Sequence, residues 1–224
     1  KDPEEVSSMF DGVARRYDIV NDLLSLGQTR RWRKRAVKII DPKPGLKILD
    51  IAAGPGSSSE PLHHKGSDVV SLDFSEGMLE QGRTARPYLT FVKGDALKLP
   101  FNENTFDLTT ISFGIRNTND YEIALREALR VTKPGGRMVI VEFSTPTMKL
   151  FRNIYLNYLM KLLPKIAKRT SSNPDAYVYL AESIRAWPNQ QALAAKMSAN
   201  GWSKASWVNL TGGVVAVHTG IKPF

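Results

Sequence analysis

The stretch Ile48-Leu-Asp-Ile-Ala-Ala-Gly-Pro-Gly56 decides the fold. A short apolar run that contains one acid is typical of a buried parallel strand, and the small residues after it are typical of a turn into a helix. Gly54 and Gly56 carry no side chain, so a ligand can approach the backbone closely there. An ordinary strand-to-helix turn would show the same pattern, and residues elsewhere must separate the two interpretations.

The alternation of strand and helix continues downstream. Apolar runs predict strands at 47–51, 68–73, 90–93, 106–112 and 137–143, with helices at 57–65, 76–86 and 120–131 between them. This order predicts an α/β fold, a doubly wound, mostly parallel sheet with helices on both faces. Near the C-terminus, Thr211-Gly-Gly213 separates two strand-like runs and predicts a terminal antiparallel hairpin, which makes seven strands in all.

Helical segments are added to this core, and we expect one domain over residues 1–224. Residues 1–41 predict an N-terminal helical lid, 42–145 the ligand-binding core, 146–187 a helical cap inserted between the fifth strand and the last helix, and 188–224 that helix and the hairpin. Within the lid, a helix over 28–40 begins with a cluster of cations.

Composition narrows the functional classes. The chain has no cysteine, which excludes disulfides, thiolate metal sites and cysteine nucleophiles. No spacing of His, Asp and Glu indicates a metal site, and no apolar run is long enough to span a membrane. The net charge of +9 fits nucleic acid, an anionic membrane surface or a surface without a role. No basic patch alternates with aromatic residues, so we expect no nucleic-acid partner.

Polar residues recur where the predicted strands end. Asp73 ends the second strand, Asp95 and Ala96 follow the third, and Ser112 ends the fourth. The carboxyl ends of parallel strands share one edge of a sheet, where such folds bind ligands. Asp73 can accept hydrogen bonds from both hydroxyls of a ribose, and Asp95 can accept one from an adenine amino group.

The loop Asp-x-Ala-x-Gly-x-Gly differs from the dinucleotide fingerprint Gly-x-Gly-x-x-Gly, which cradles a pyrophosphate. S-adenosyl-L-methionine (SAM) carries an adenosine but no phosphate. We therefore predict a SAM site, whose residues are Asp50, Gly54, Pro55, Gly56, Asp73, Asp95, Ala96 and Ser112.

The whole chain resembles the C-methyltransferases of menaquinone and ubiquinone synthesis, which are class I, Rossmann-like enzymes. Leu72-Asp-Phe-Ser-Glu-Gly-Met78 and Lys133-Pro-Gly-Gly136 are among the matching stretches, and Pro55 stands where the family usually has threonine. The most specific stretches are Ser112-Phe-Gly-Ile-Arg-Asn117, Tyr179-Leu-Ala-Glu-Ser-Ile-Arg185 and Asn209-Leu-Thr-Gly-Gly213.

The resemblance implies SAM as methyl donor and a polyprenyl quinol as substrate. The sequence favours methylation of demethylmenaquinol to menaquinol. The benzoquinol of ubiquinone synthesis is the alternative, and a SAM-binding protein with weak catalysis is another. The first residues are not typical of a signal peptide, so we expect a cytoplasmic protein. Peripheral contact with the cytoplasmic membrane face and a homo-oligomer are open at this point.

Three residues are candidates for catalysis. We expect Arg116 to stabilise a phenolate and Asn117 to orient a hydroxyl or a water. In the alternative, Asn117 caps the next helix and Arg116 pairs with a surface acid. Tyr17 lies in the predicted lid, where it either covers the cleft or belongs to the core. The helical stripe from Phe151 to Leu163 is either core or a wall for the isoprenoid tail.

Overall fold

A computed structural model describes residues 27–162 and 175–224, without the side chains of 161, 162 and 175–177. Its centre is one seven-stranded sheet in the order β3-β2-β1-β4-β5-β7-β6. The strands are β1 (Lys47–Ile51), β2 (Asp68–Asp73), β3 (Thr90–Lys93), β4 (Phe106–Ser112), β5 (Thr132–Phe143), β6 (Ser203–Leu210) and β7 (Val215–Ile221). The first five strands are parallel, and β7 runs antiparallel between β5 and β6. The predicted fold class is confirmed.

Helices flank this sheet. They are α1 (Thr29–Ile40), α2 (Glu60–His63), α3 (Glu76–Ala85), α4 (Tyr121–Val131), α5 (Lys149–Asn157), α6 (Asp175–Ala186) and α7 (Gln190–Ala199). Short 3₁₀ turns cover Ile115–Asn117 and Thr211–Gly213, and a π-helical turn covers Tyr158–Leu162. The helix predicted at 57–65 is shorter than expected, because residues 54–59 form turns.

Local chemistry sets the starts of several helices. The Ser75 hydroxyl accepts a hydrogen bond from the Met78 amide at the start of α3, so Ser75 is the cap of this helix. Asp120 accepts bonds from the amides of Glu122 and Ile123 at the start of α4. Asn117 is therefore not the cap of that helix.

Two apolar cores lie on the two faces of the sheet. Leu49 and Ile51 of β1 point to one side, where α4 and α7 cover them, and Ile48 points to the other side, where α1 covers it. Burial on both faces explains why β1 is apolar at nearly every position. The exceptions are Lys47 at the exposed start of the strand and Asp50, which lies behind the loop of the candidate site.

The strand β5 begins earlier than predicted. The stretch Lys133-Pro-Gly-Gly136 lies inside the strand and interrupts its pairing with β4. Thr132 lies opposite Phe106, whereas the next regular pairs begin with Arg137 opposite Leu108. The predicted lid up to residue 26, with Tyr17, lies outside the described residues, as do Leu163 and Pro164 at the end of the apolar stripe.

Candidate functional site

A cavity opens at the carboxyl edge of the sheet, at the ends of β1 and β4. The chain continues from β1 to β2 on one side of this point and from β4 to β5 on the other side. Ligands bind at this topological switch point in open α/β sheets. The cavity has about 870 Å³ of space, part of it open to solvent, so a ligand can enter without moving the sheet. Its walls come from the segments that follow the first four strands: Ala52, Gly54, Leu72, Asp73, Phe74, Ser75, Met78, Gly94, Asp95, Ala96, Leu97, Phe113, Gly114, Asn117, Thr118 and Asn119.

The carboxylate of Asp73 connects the first two strand ends. One oxygen, Oδ2, accepts a hydrogen bond of 2.7 Å from the Gly54 amide, and Oδ1 accepts one of 2.9 Å from the Ser75 amide. Each carboxylate oxygen can accept a second bond. Asp73 therefore positions the glycine loop, and its carboxylate lies in the wall of the cavity.

Positive φ angles shape the loop after β1. Gly54 has φ +56°, which glycine adopts without strain, and Ala52 has φ +53°, which costs free energy for a residue with a side chain. Opposite this loop, a Cβ placed on Gly114 would lie only 2.5 Å from the Cβ of Ala52. The cavity thus requires glycine at position 114 because the two loops touch.

Asp50 lies behind the loop and is fully buried. Its Oδ2 accepts hydrogen bonds of 2.7 Å from the hydroxyls of Ser58 and Ser59. Burial raises the pKa of Asp50 to about 6, although the two hydroxyls and Arg33 oppose this shift. Asp50 holds the turn between β1 and α2 rather than facing the cavity.

Asp95 presents its carboxylate at the end of β3. Its Oδ1 accepts a hydrogen bond of 2.8 Å from the Leu97 amide, which orients the carboxylate within the turn. The preceding residue, Gly94, is packed so closely that a Cβ there would lie 2.7 Å from Leu72. Asp73 and Asp95 therefore lie at neighbouring strand ends in one cavity, as the sequence predicted.

Apolar side chains complete the walls, and sequence reasoning did not single them out. Phe74 follows Asp73 directly and remains 42% exposed, and Met78, Leu97 and Phe113 also line the cavity. Phe113 has φ +58°, which turns the chain out of β4 toward the site. A large apolar residue directly after a strand-end acid was the available signal, because such a position lies at the edge of the sheet where these folds bind ligands.

Arg116 does not line the cavity. Its Nη1 donates hydrogen bonds of 2.7 Å to Glu142 Oε1 and to the carbonyl of Phe113, and its guanidinium carbon lies 5.2 Å from the centre of the Phe143 ring. The side chains of Arg116 and Glu142 are 6% and 1% exposed. Burial raises the pKa of Glu142, and the positive charge of Arg116 opposes that shift. The geometry corresponds to the alternative in which Arg116 pairs with an acid, but that acid is buried.

Asn117 does line the cavity. Its Oδ1 accepts a hydrogen bond of 3.3 Å from the hydroxyl of Tyr179 on α6, so the helical cap orients its amide. Asn117 follows β4 and Asp95 follows β3. Because β2 and β1 lie between these two strands in the sheet, the two residues lie on opposite sides of the cavity.

The predicted site residues therefore divide into two groups. Gly54, Asp73, Asp95, Ala96 and Asn117 meet in one cavity. Among the described residues, five other predicted positions do not line it: Asp50, Pro55, Gly56, Ser112 and Arg116. The Pro55 carbonyl accepts a hydrogen bond from Arg86. Because Pro55 is not in the described walls, its missing amide hydrogen removes no donor from them.

The charge of the cavity selects among ligands. Its described walls contain two carboxylates, Asp73 and Asp95, and no lysine or arginine. A phosphate would be repelled there, whereas a nucleoside that carries a positive charge would be attracted. Acceptors for hydroxyl and amino groups, apolar walls and negative charge together fit SAM, whose sulfonium is cationic.

Comparison with known proteins gives the family. The ubiE/COQ5 methyltransferase family matches residues 1–222. The chain belongs to this family. The methyltransferase is 59% identical to the demethylmenaquinone methyltransferase of Streptomyces avermitilis over 99% of the chain and 96% of that protein. It is 56% identical to the protein of that name from Mycobacterium marinum, over 100% of the chain and 96% of that protein.

Solved structures agree with the fold of the methyltransferase. A SAM-dependent methyltransferase from Thermotoga maritima superposes with a TM-score of 0.69 over 96% of the chain and 99% of that chain, at 21% identity. A phosphoethanolamine N-methyltransferase from Haemonchus contortus, solved with SAM, has a TM-score of 0.65 at 16% identity, over 88% of the chain and 53% of that chain. At these identities the likeness concerns the fold alone.

Proposed function

We propose that the protein transfers a methyl group from SAM to a ring carbon of demethylmenaquinol and so forms menaquinol. Two relatives that carry the name demethylmenaquinone methyltransferase, at 59% and 56% identity over nearly the whole chain, support the substrate. The observation that carries the reaction is the cavity itself, whose described walls have two carboxylates and no lysine or arginine at the strand ends. The benzoquinol alternative is not favoured, because these relatives are named for the naphthoquinone.

The donor side is built from residues of the first three strand ends. Asp73 would accept the ribose hydroxyls and Asp95 the adenine amino group, while Phe74 and Met78 would pack against the base. When bound, SAM supplies a methyl group on a positively charged sulfur, which makes that methyl electrophilic. Gly54 keeps the backbone open beside it.

The acceptor side needs an activated carbon and a fixed geometry. An aromatic carbon becomes nucleophilic when a neighbouring hydroxyl ionises, because the negative charge spreads to that carbon. Asn117, whose Oδ1 accepts a hydrogen bond from Tyr179, would orient the hydroxyl. Complete fixation of donor and acceptor in the attacking geometry lowers the barrier of a two-reactant step by at most about 7–11 kcal/mol, and Asn117 would supply part of that fixation. We propose that Arg116, whose charge is paired with Glu142, acts by positioning the segment that carries Asn117.

Labelled methyl transfer tests this proposal. The protein is incubated with SAM labelled in its methyl group and with chemically reduced demethylmenaquinone, and the ring is analysed for label. Oxidised quinone is the matched control and should remain unlabelled, because it has no hydroxyl to ionise. The absence of ring label under reducing conditions would refute the proposed function.

The substrate also bears on partners. A polyprenyl tail partitions into lipid, so we propose contact of the protein with a membrane surface. Within 27–162 and 175–224, no helix has the length and apolar character that crossing a bilayer requires. A homo-oligomer and the lack of a nucleic-acid partner remain predictions.

A further inference from the structure

Three large apolar side chains in and next to α5 are exposed to solvent. Met148, Leu150 and Ile154 are 67%, 74% and 60% exposed. Leu150 and Ile154 are four residues apart and so lie on one face of the helix. On an adjacent face of the helix, Phe151 and Tyr155 pack against the apolar core. The sequence pattern groups Ile154 with Phe151 in one helical stripe, and in the structure Ile154 is exposed to solvent.

This exposed face lies at the edge of the sheet that holds the cavity. The amide of Thr147 donates to the carbonyl of Gly212, and Phe151 packs on the same turn, Thr211–Gly213. That turn joins β6 to β7 next to Phe143, at the carboxyl end of β5. The cavity opens at the carboxyl ends of the neighbouring parallel strands, so both features share one edge.

The same turn also receives the cationic helix. The indole nitrogen of Trp32 in α1 donates a hydrogen bond of 2.7 Å to the Thr211 hydroxyl. Exposed cations lie along α1 and beside the apolar residues of α5: Arg31, Lys34, Arg35 and Lys149, with Arg152 half-buried. Neither helix contains an aspartate or a glutamate. Apolar groups flanked by cations without acids form a surface that suits anionic lipid.

We propose that Met148, Leu150 and Ile154, with Lys149 and Arg152, form a docking face for an anionic lipid bilayer. The apolar side chains enter the boundary between headgroups and acyl chains, and the cations contact the headgroup phosphates. This orientation brings the carboxyl edge of the sheet, and with it the cavity, to the membrane. The inference rests on the proposed function only in that the tailed quinol is drawn from the same bilayer.

Vesicle co-sedimentation of the full chain tests the docking face. Wild-type protein is expected to sediment with vesicles made of equal parts phosphatidylglycerol and phosphatidylcholine, and much less with phosphatidylcholine alone. The pair Lys149→Gln/Arg152→Gln should weaken binding about thirtyfold, because each cation near an anionic surface contributes about a factor of five. The pair Leu150→Asn/Ile154→Asn should weaken it at least about tenfold through lost apolar burial.

A matched control removes the same charge elsewhere. Lys65 and Lys204 are exposed and lie at the opposite edge of the sheet, near the starts of β2 and β6. The pair Lys65→Gln/Lys204→Gln should change binding by less than about twofold, since charges beyond a Debye length are screened. Equal loss in this control, or wild-type binding to neither vesicle, overturns the docking face. A change of oligomeric mass in Leu150→Asn/Ile154→Asn with unchanged vesicle binding also overturns it, in favour of a second copy of the chain.

Methyl-transfer assays with two substrates distinguish this inference from the proposed function. The docking variants are the two pairs Lys149→Gln/Arg152→Gln and Leu150→Asn/Ile154→Asn. With a demethylmenaquinol analogue that lacks the tail, they should be as active as wild type in solution. With tailed quinol in anionic vesicles, they should lose activity in proportion to their loss of vesicle binding. Vesicle binding by a wild type that methylates neither quinol would end the proposed function and leave the docking face standing. Full activity of the docking variants on tailed quinol in vesicles would end the docking face.

Discussion

Replacing Arg116 by methionine tests whether this residue acts on the structure or on the substrate. Methionine keeps an unbranched side chain but removes both charged hydrogen bonds of 2.7 Å and the contact with Phe143. Glu142, 1% exposed, would then remain buried without its cation. Breaking a buried pair in this way costs about 3–5 kcal/mol of unfolding free energy.

The cost of Arg116→Met should depend on pH in a defined direction. Burial already raises the pKa of Glu142, and removal of Arg116 should raise it further. A carboxyl whose folded pKa lies above its unfolded pKa destabilises the fold increasingly as pH rises from the unfolded to the folded value. The deficit of the variant should therefore be larger at about pH 8 than at about pH 5, where protonation of Glu142 relieves it.

Urea unfolding at the two pH values, followed by tryptophan fluorescence, measures the deficit. The double variant Arg116→Met/Glu142→Gln removes the stranded charge and should regain more than half of the lost stability, because a neutral pair is far cheaper to bury. A deficit for Arg116→Met below about 1 kcal/mol at both pH values would refute the buried ion pair.

Methyl transfer by the double variant then decides the role of Arg116. Recovery of both stability and turnover would make Arg116 a positioning residue, whose charge serves only Glu142. Recovery of stability without turnover would mean that the guanidinium itself acts on the substrate, as the sequence first suggested.

Three further outcomes are expected. Asp73→Asn should lower the affinity for SAM about 10- to 100-fold in calorimetry, because it weakens charge-assisted hydrogen bonds. The control is Asp68→Asn at the exposed start of the same strand, which should leave the affinity for SAM unchanged. Asp50→Asn should raise the unfolding free energy at neutral pH by up to about 3 kcal/mol, because a carboxyl with its pKa raised from 3.8 to about 6 destabilises the fold above that pH. The gain should vanish below about pH 4. Gly114→Ala should lower the melting temperature, because the added Cβ would lie 2.5 Å from the Cβ of Ala52. Addition of Ala52→Gly should restore the melting temperature, because glycine removes both the clash and the strain of φ +53°. Failure of this rescue would contradict the contact between the two loops.

Much of the site could be predicted because parallel strands bring their carboxyl ends to one edge. For this reason Asp73 and Asp95 lie in the same cavity, although they are 22 residues apart in the chain. Ser75 could be predicted as a cap because its hydrogen bond reaches only three residues ahead. Local periodicity and the geometry of a parallel sheet were sufficient in both cases.

The position of Arg116 could not be predicted in the same way. It follows β4 like the other site residues, but its partner Glu142 lies on β5, 26 residues later. The register that sets Ser112 opposite Val141 brings that carboxylate under the turn. Since a buried acid attracts a nearby guanidinium more strongly than solvent does, the side chain turns away from the cavity.

The sequence by itself determined the order of strands and helices, the terminal hairpin, the helix caps and the carboxylates at the ends of β2 and β3. These features depend on side-chain period and on hydrogen bonds between near neighbours. Only the tertiary structure decided that Asp50 is buried behind its loop, that Arg116 pairs with Glu142, and that Ile154 faces solvent. Those outcomes depend on strand register and on which face of a helix meets the sheet, and both are properties of the packed molecule.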